Sequence, residues 1–226
     1  MRSYLNGVKT VLFDFDDTLV DESYSIRRRW QTVLSKFTLP GFEKKFLEIF
    51  DEKGFRYKKH VNDALESVGI QEEEGKKLIS EMVEAFLNTV STDEKKTPGS
   101  LEVLTWLKNK KVPRGILTNG KKSLQQPRIQ AAGFSSLVEH IVYGDDFQKP
   151  DPEFFRQSMD LLKPAHPSEV LYVGDSFRED IEGAVRSGLK TCWIKTDVRH
   201  PEIREFSRPV LVMPGLSGLL ELFQNG

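Results

Sequence analysis

Four groups of polar residues, each closing an apolar run, hold the side chains of this sequence best suited to chemistry. The first is Asp14-Phe15-Asp16-Asp17-Thr18, within VLFDFDDTLV. On an extended backbone Asp14 and Asp16 lean to the same side, so one small substrate can meet both carboxyl groups. Carboxyl groups that close push each other's pKa values apart, which leaves one ionised while the other holds a proton. The second group, Leu117-Thr118-Asn119-Gly120, offers a hydroxyl and a side-chain amide. Where such a chain turns into a helix, its N–H groups also point outward, a set suited to anionic oxygens. Lys149 is the third, and it precedes Pro150-Asp151-Pro152-Glu153. Asp151 suits an N-cap, Pro152 a first helical position and Glu153 the first-turn dipole, so a helix start fixes where Lys149 points. The fourth is Val173-Gly174-Asp175-Ser176, followed by Asp180. An ordinary strand-to-helix turn would also explain Asn119-Gly120, and Asp175 with Asp180 would also suit a helix start that ends at Gly188.

The elements behind these groups are short runs rich in Val, Ile and Leu, as fully buried parallel strands are. They cover 8–15, 115–118, 141–143, 170–173, 191–194 and 210–213. Helical patterns separate several of them: Leu101, Leu104 and Leu107; Phe154, Phe155, Met159 and Leu162; Ile181, Ala184 and Val185. Alternation of this kind implies an α/β fold with a Rossmann-like, doubly wound parallel sheet, whose ligands bind at the strands' carboxyl ends. Pro127 places the start of the helix carrying Ile129 near itself. From about residue 22 to 96 only helical periods occur, on Trp30, Val33, Leu34 and Phe37, then Phe42, Phe46, Leu47 and Phe50, then Leu78, Met82, Phe86 and Val90. Turns fall at Pro40-Gly41, Gly54 and Gly69. The expected division is a core of 1–22 and 97–226 with a helical insert at 23–96, joined by a hinge pair and lying over the first strand's carboxyl end.

The four groups, in this order over essentially the whole chain, resemble the motifs of the haloacid dehalogenase superfamily. These are an aspartate pair with threonine after strand one, a Ser/Thr, a Lys and a late acidic pair. The resemblance implies that Asp14 is a nucleophile forming an aspartyl phosphate, and that Asp16 protonates the leaving oxygen and later deprotonates water. It implies phosphate binding by Thr118, Asn119 and Lys149, with Thr18 and Gly120 in support. It further implies Mg²⁺ held by Asp14, the backbone carbonyl of Asp16 and Asp175, with Asp180 a water-mediated ligand or the group that orients Lys149. The insert is similar in position to the superfamily's helical cap, and its basic clusters at Arg27 to Arg29 and Arg56 to His60 could face a substrate anion or simply solvent. Asp17 departs from the commonest pattern, which has Gly there. With Thr118-Asn119-Gly120 and Gln148 it looks like the branch of nucleotidase-like and acylneuraminate-phosphate phosphatases.

The expectation is a Mg²⁺-dependent phosphomonoester phosphohydrolase acting on a nucleotide, sugar phosphate or phosphoglycolate. A phosphomutase or other phosphotransferase, a 2-haloacid dehalogenase and a non-catalytic binding module are the alternatives. Asp16 argues against the dehalogenase, which needs no acid to assist halide departure. The bulk properties agree: 226 residues suffice for one α/β core and a smaller module. Basic and acidic residues nearly cancel, 33 against 34, so no field favours nucleic acid or a membrane surface. Cys192, the single cysteine, excludes an internal disulfide and fits a small buried apolar role. MRSYLNGVKT lacks the apolar stretch of about 7 to 15 residues of a secretory signal, and no run reaches the roughly 18 apolar residues of a membrane span. The expected setting is the cytoplasm, as a monomer or homodimer.

Overall fold

The computed structural model describes residues 2–53, 57–70, 72–162, 166–195 and 208–225. They fall into two compact units, Met1–Asp21 with Lys95–Gly226, and Glu22–Glu94. In the larger unit the strands are β1 (Thr10–Phe13), β2 (Arg114–Thr118), β3 (His140–Tyr143), β4 (Val170–Gly174), β5 (Lys190–Ile194) and β6 (Leu211–Met213). The helices, in chain order, are α1 (Arg2–Leu5), α2 (Glu22–Leu34), α3 (Phe42–Lys53), α4 (Tyr57–Ser67), α5 (Glu72–Leu87), α6 (Ser100–Asn109), α7 (Lys122–Ala131), α8 (Pro152–Leu162), α9 (Glu182–Arg186) and α10 (Leu216–Gln224).

The sheet runs β3-β2-β1-β4-β5-β6 with every neighbouring pair parallel. β1, β2 and β4 are buried along their whole length, which is why they read as unbroken apolar runs. The pleat still sorts their side chains. Val11 and Phe13 pack with Leu104, Leu107, Ile129 and Leu219, whereas Leu12 packs with Leu117, Phe154, Phe155 and Tyr172. Helices therefore cover both faces, as the alternation of strand and helix requires.

All six expected strands are present, with edges moved by one or two residues. The helix carrying Ile129 is a correction: α7 begins at Lys122 and takes Pro127 inside it. The carbonyl deprived of its donor is that of Ser123, an exposed residue open to water, so the proline costs little there.

Glu22–Glu94 has its own core. Trp30 lies 4.6 Å from the Phe86 ring and 4.7 Å from that of Phe46, among Val33, Leu65 and Met82. Arg29 stacks over Phe86 and donates to the carbonyls of Phe86 and Thr89 at the end of α5, where a cation complements the helix dipole. Arg27 pairs with Asp51 and Arg28 with Asp93, so the first basic cluster is engaged within its own unit. The side chains of the second, 56–60, and Gly54 lie outside the described residues.

The larger unit also contains the outgoing and returning stretches of the chain, stitched side by side. Asp21 N–H donates to Lys95 O at 2.8 Å and Thr97 N–H to Leu19 O at 3.0 Å. An antiparallel bridge joins Val20 to Lys96, and Lys95 pairs with Asp21 at 2.9 Å.

Candidate active site

The chain leaves β1 toward β2 and β3 on one side, and β4 leads to β5 and β6 on the other. The crevice at that reversal, outside the carboxyl ends of the strands, is where open α/β sheets place ligands. Asp14 follows β1, Asp175 follows β4 and Thr118 ends β2, so the sheet itself carries three of the expected residues to one edge.

Lys149 joins them. It is 5% exposed, hydrogen-bonds Asp14 Oδ1, and lies 2.7 Å from Asp180 Oδ1 and 3.1 Å from the Tyr172 hydroxyl. The Tyr172 hydroxyl donates to Asp180 Oδ1 at 2.8 Å, and Ser176 N–H donates to Asp180 Oδ2 at 2.9 Å. Asp180 is brought in by the π-helical turn Phe177–Ile181, and Gly174 makes the approach possible, since a Cβ there would meet the Asp180 carboxyl carbon at 2.4 Å. The approach of Lys149 is set from two sides. Asp151 Oδ1 accepts from Glu153 N–H at 2.8 Å as α8 begins, and Asn119 grips the lysine's own backbone, N–H to Oδ1 at 2.7 Å and Nδ2 to carbonyl at 3.1 Å.

Burial works against the ammonium of Lys149, but the Asp14 and Asp180 carboxylates outweigh it and hold Lys149 above the ordinary lysine range. Burial pushes the Asp14 carboxyl well up; Lys149 opposes this, and the charges of Asp180 and Asp175 reinforce it. Burial, then Asp180 and Asp17, push Asp175 up to about 7. The site thus gathers more negative charge than Lys149 alone can neutralise.

That excess is what a hard cation relieves. Carboxylate oxygens of Asp14, Asp175 and Asp180 lie within 4.8 Å of one another, the all-oxygen donor chemistry that divalent ions of the magnesium kind take. The oxygens of Asp180 are already engaged by Lys149, Tyr172 and Ser176. The carboxylates of Asp14 and Asp175 are then the ones that could hold a cation, and the residues fit a metal. Thr18 Oγ1 donates to Asp175 Oδ1 at 3.4 Å, and Trp193 Nε1 donates to the Asp175 carbonyl at 2.7 Å, which steadies this loop. Asp17, where the commonest pattern has glycine, holds a left-handed φ of 54°, a conformation aspartate tolerates better than most residues.

Asp16 is held by different partners. Its Oδ2 accepts from Gln125 Nε2 at 2.6 Å, and its Oδ1 is 2.8 Å from Arg128 Nη2 in an ion pair. Gln125 Nε2 also donates to Thr118 Oγ1 at 3.0 Å, and Gly120 N–H reaches the same oxygen at 3.3 Å. With two donors on its oxygen, the Thr118 hydroxyl has its proton to offer an outside acceptor. Gly120 matters sterically, because a Cβ there would strike Gln125 at 2.4 Å. Gln125, Arg128 and Tyr172 are the site residues that sequence reasoning missed. The signal was present as polar residues at positions 125 and 128 on the apolar stripe of Ile129, hidden by starting that helix at Pro127.

A cavity of about 630 Å³ opens beside Asp175, lined also by Asp17, Lys96, Trp193 and Lys195. Its size is that of pockets for small metabolites.

A doubly wound parallel sheet with a buried carboxylate–lysine cluster at its switch point defines an α/β enzyme that handles anionic substrates. The profile of the haloacid dehalogenase-like hydrolase family matches residues 11–194, and the chain belongs to that family. It is similar to the glyceraldehyde 3-phosphate phosphatase of Pyrococcus furiosus, 28% identical with 98% of this chain and 95% of the relative covered. It is likewise similar to the N-acylneuraminate-9-phosphatase of Mus musculus, 30% identical with 87% and 86% covered. Among solved structures, the HAD-hydrolase YfnB of Bacillus subtilis, bound to magnesium, superposes with a TM-score of 0.70 at 22% identity, covering 95% of this chain and 98% of that one. The protein is a hydrolase of the phosphatase kind.

Proposed function

We propose that the protein is a Mg²⁺-dependent phosphomonoesterase working through an aspartyl phosphate on Asp14, in the cytoplasm, as a monomer or homodimer. The observation that carries the reading is the buried bonding of Lys149 to both Asp14 and Asp180 at the switch point of the sheet. Asp14 attacks phosphorus as the bond to the leaving oxygen breaks, and Asp16 gives that oxygen a proton. Water then attacks the aspartyl phosphate, Asp16 takes the water's proton, and Asp14 is released with inorganic phosphate. Lys149 and the Thr118 hydroxyl bind phosphoryl oxygens, while Asn119 acts by holding the Lys149 backbone in place. Mg²⁺ held by Asp14, Asp175 and the Asp16 carbonyl would supply charge neutralisation for the phosphoryl group. The segment 23–96 would serve as a cap that selects the leaving group, and the substrate would be a small phosphomonoester within the reach of the 630 Å³ cavity.

The test is phosphate release from a panel of nucleotides, sugar phosphates and phosphoglycolate, with Mg²⁺ or chelator, for wild type and Asp14→Asn. Uncatalysed phosphomonoester hydrolysis is slow enough for enzymes to accelerate it by up to about 10²¹-fold. Release is therefore expected to be metal-dependent and to vanish in the variant. Folded but equally inactive proteins would overturn the reading in favour of a binding module. A phosphorylated isomer accumulating in place of phosphate would favour a mutase.

A further inference from the structure

A guanidinium buried to the extent of Arg128, 5% exposed, carries a desolvation cost of several kcal/mol unless it is paired and fully bonded. Two of its contacts lead toward one side chain. Nη2 pairs with Asp16 Oδ1 at 2.8 Å and Nη1 donates to Gln125 Oε1 at 2.7 Å, with the Phe15 ring centre 5.1 Å from Cζ. The bond to Gln125 has a directional consequence. Arginine can only donate, so the amide oxygen must face it and the amide NH₂ must face away, toward Asp16 Oδ2 and Thr118 Oγ1. One carboxylate oxygen is thus held by a charge and the other by a donor whose orientation that same charge sets.

We propose that Gln125 and Arg128 are positioning residues that form a brace on the α7 side of the site, fixing the Asp16 carboxyl group for proton transfer and tying its placement to the phosphate-binding Thr118. The inference rests on the reading of Asp16 as the acid and base of a phosphatase. Neither residue touches substrate; each acts through Asp16. The brace also explains Gly120, whose missing side chain leaves room for Gln125, and the span of α7 across Pro127, which puts positions 125 and 128 on one helical face.

Leaving-group dependence separates this from a merely structural role. An alkyl phosphomonoester must receive a proton as its oxygen departs, whereas p-nitrophenolate leaves without one. General acid catalysis contributes about 10²- to 10⁴-fold. For Arg128→Ala, and for Gln125→Met, which keeps the size and loses the donors, the ratio of kcat/KM on glycerol phosphate to kcat/KM on p-nitrophenyl phosphate, which reports leaving-group departure and not the shared hydrolysis of the aspartyl phosphate, is expected to fall by about 100-fold. Arg128→Lys should recover part of the ratio. In an Asp16→Asn background neither substitution should lower the ratio further, because groups acting through one another are not additive. Equal losses on both substrates, no loss, or a raised ratio would overturn the brace, the last by showing that it parks Asp16 rather than presents it. If Arg128→Ala does not fold, Gln125→Met decides by the same readout. Failure of the underlying reading has a different signature: wild type itself would release no phosphate, or release it regardless of Asp14→Asn.

Discussion

At the scale of single residues, Lys149 is the balance point. Among the described residues it is the cation bonded to both Asp14 and Asp180, in a cluster where burial and neighbouring carboxylates push Asp14 and Asp175 upward. Removing one partner of a buried ion pair strands the other charge, so Lys149→Met is expected to cost about 3–5 kcal/mol in urea unfolding and to abolish phosphate release. Asp175 gives a pH prediction for chelated protein. Its folded-state pKa, about 7, lies above the ordinary 3.8, so the folded protein binds more protons than the unfolded one in that interval. Stability is then fully present below pH 3.8 and is lost as the pH rises through about 7. Melting scans without metal should show the midpoint falling between pH 5 and 8, and saturating Mg²⁺ should flatten that slope. A midpoint that rises over the same range would contradict the electrostatic account of the cluster.

At the scale of elements, placement of side chains depends on backbone features that admit no substitute. Gly174 closes β4, and a Cβ would meet the Asp180 carboxyl at 2.4 Å. Gly174→Ala must displace the group that orients Lys149, and overpacking of this kind costs about 1–3 kcal/mol. A drop in both melting temperature and kcat is expected, and full activity would show that Asp180 has slack. What could be read from sequence follows the same logic. The strands were legible because parallel strands buried on both faces read as apolar runs, and Asp14, Thr118 and Asp175 were legible because polar residues end those runs. Gln125 and Arg128 were hidden by Pro127, whose effect on a short, partly exposed helix is weaker than a general rule suggests. Tyr172 was hidden because its ring belongs to the strand's apolar face and only its hydroxyl belongs to the site. The exposed basic look of Arg27 to Arg29 was ambiguous because sequence does not show Asp51, Asp93 and the end of α5, which take them up.

At the scale of the whole molecule, the helical unit keeps a core of its own around Trp30, and the chain passes to and from it through one stitched pair of segments. Such a unit should be exchangeable. Replacing 23–96 with the corresponding segment of the mouse N-acylneuraminate-9-phosphatase is expected to reorder the substrate panel by tenfold or more while the need for Asp14 and for metal persists. An unchanged ranking would move specificity into the sheet edge.

The stitching of Asp21 to Lys95 also bears on how the chain reaches its fold. β1 must find β2 across the interruption, pairing Val11 with Arg114, and closing an unstructured loop of roughly seventy residues costs about 4 kcal/mol of chain entropy. If the helices form first, by local contacts around Trp30, the ends of that loop arrive already together and β1 meets β2 as if the two were near neighbours in sequence. The insert is then a scaffold during folding, and a lesion in its core would be felt as slower assembly of a sheet to which its described residues contribute no strand.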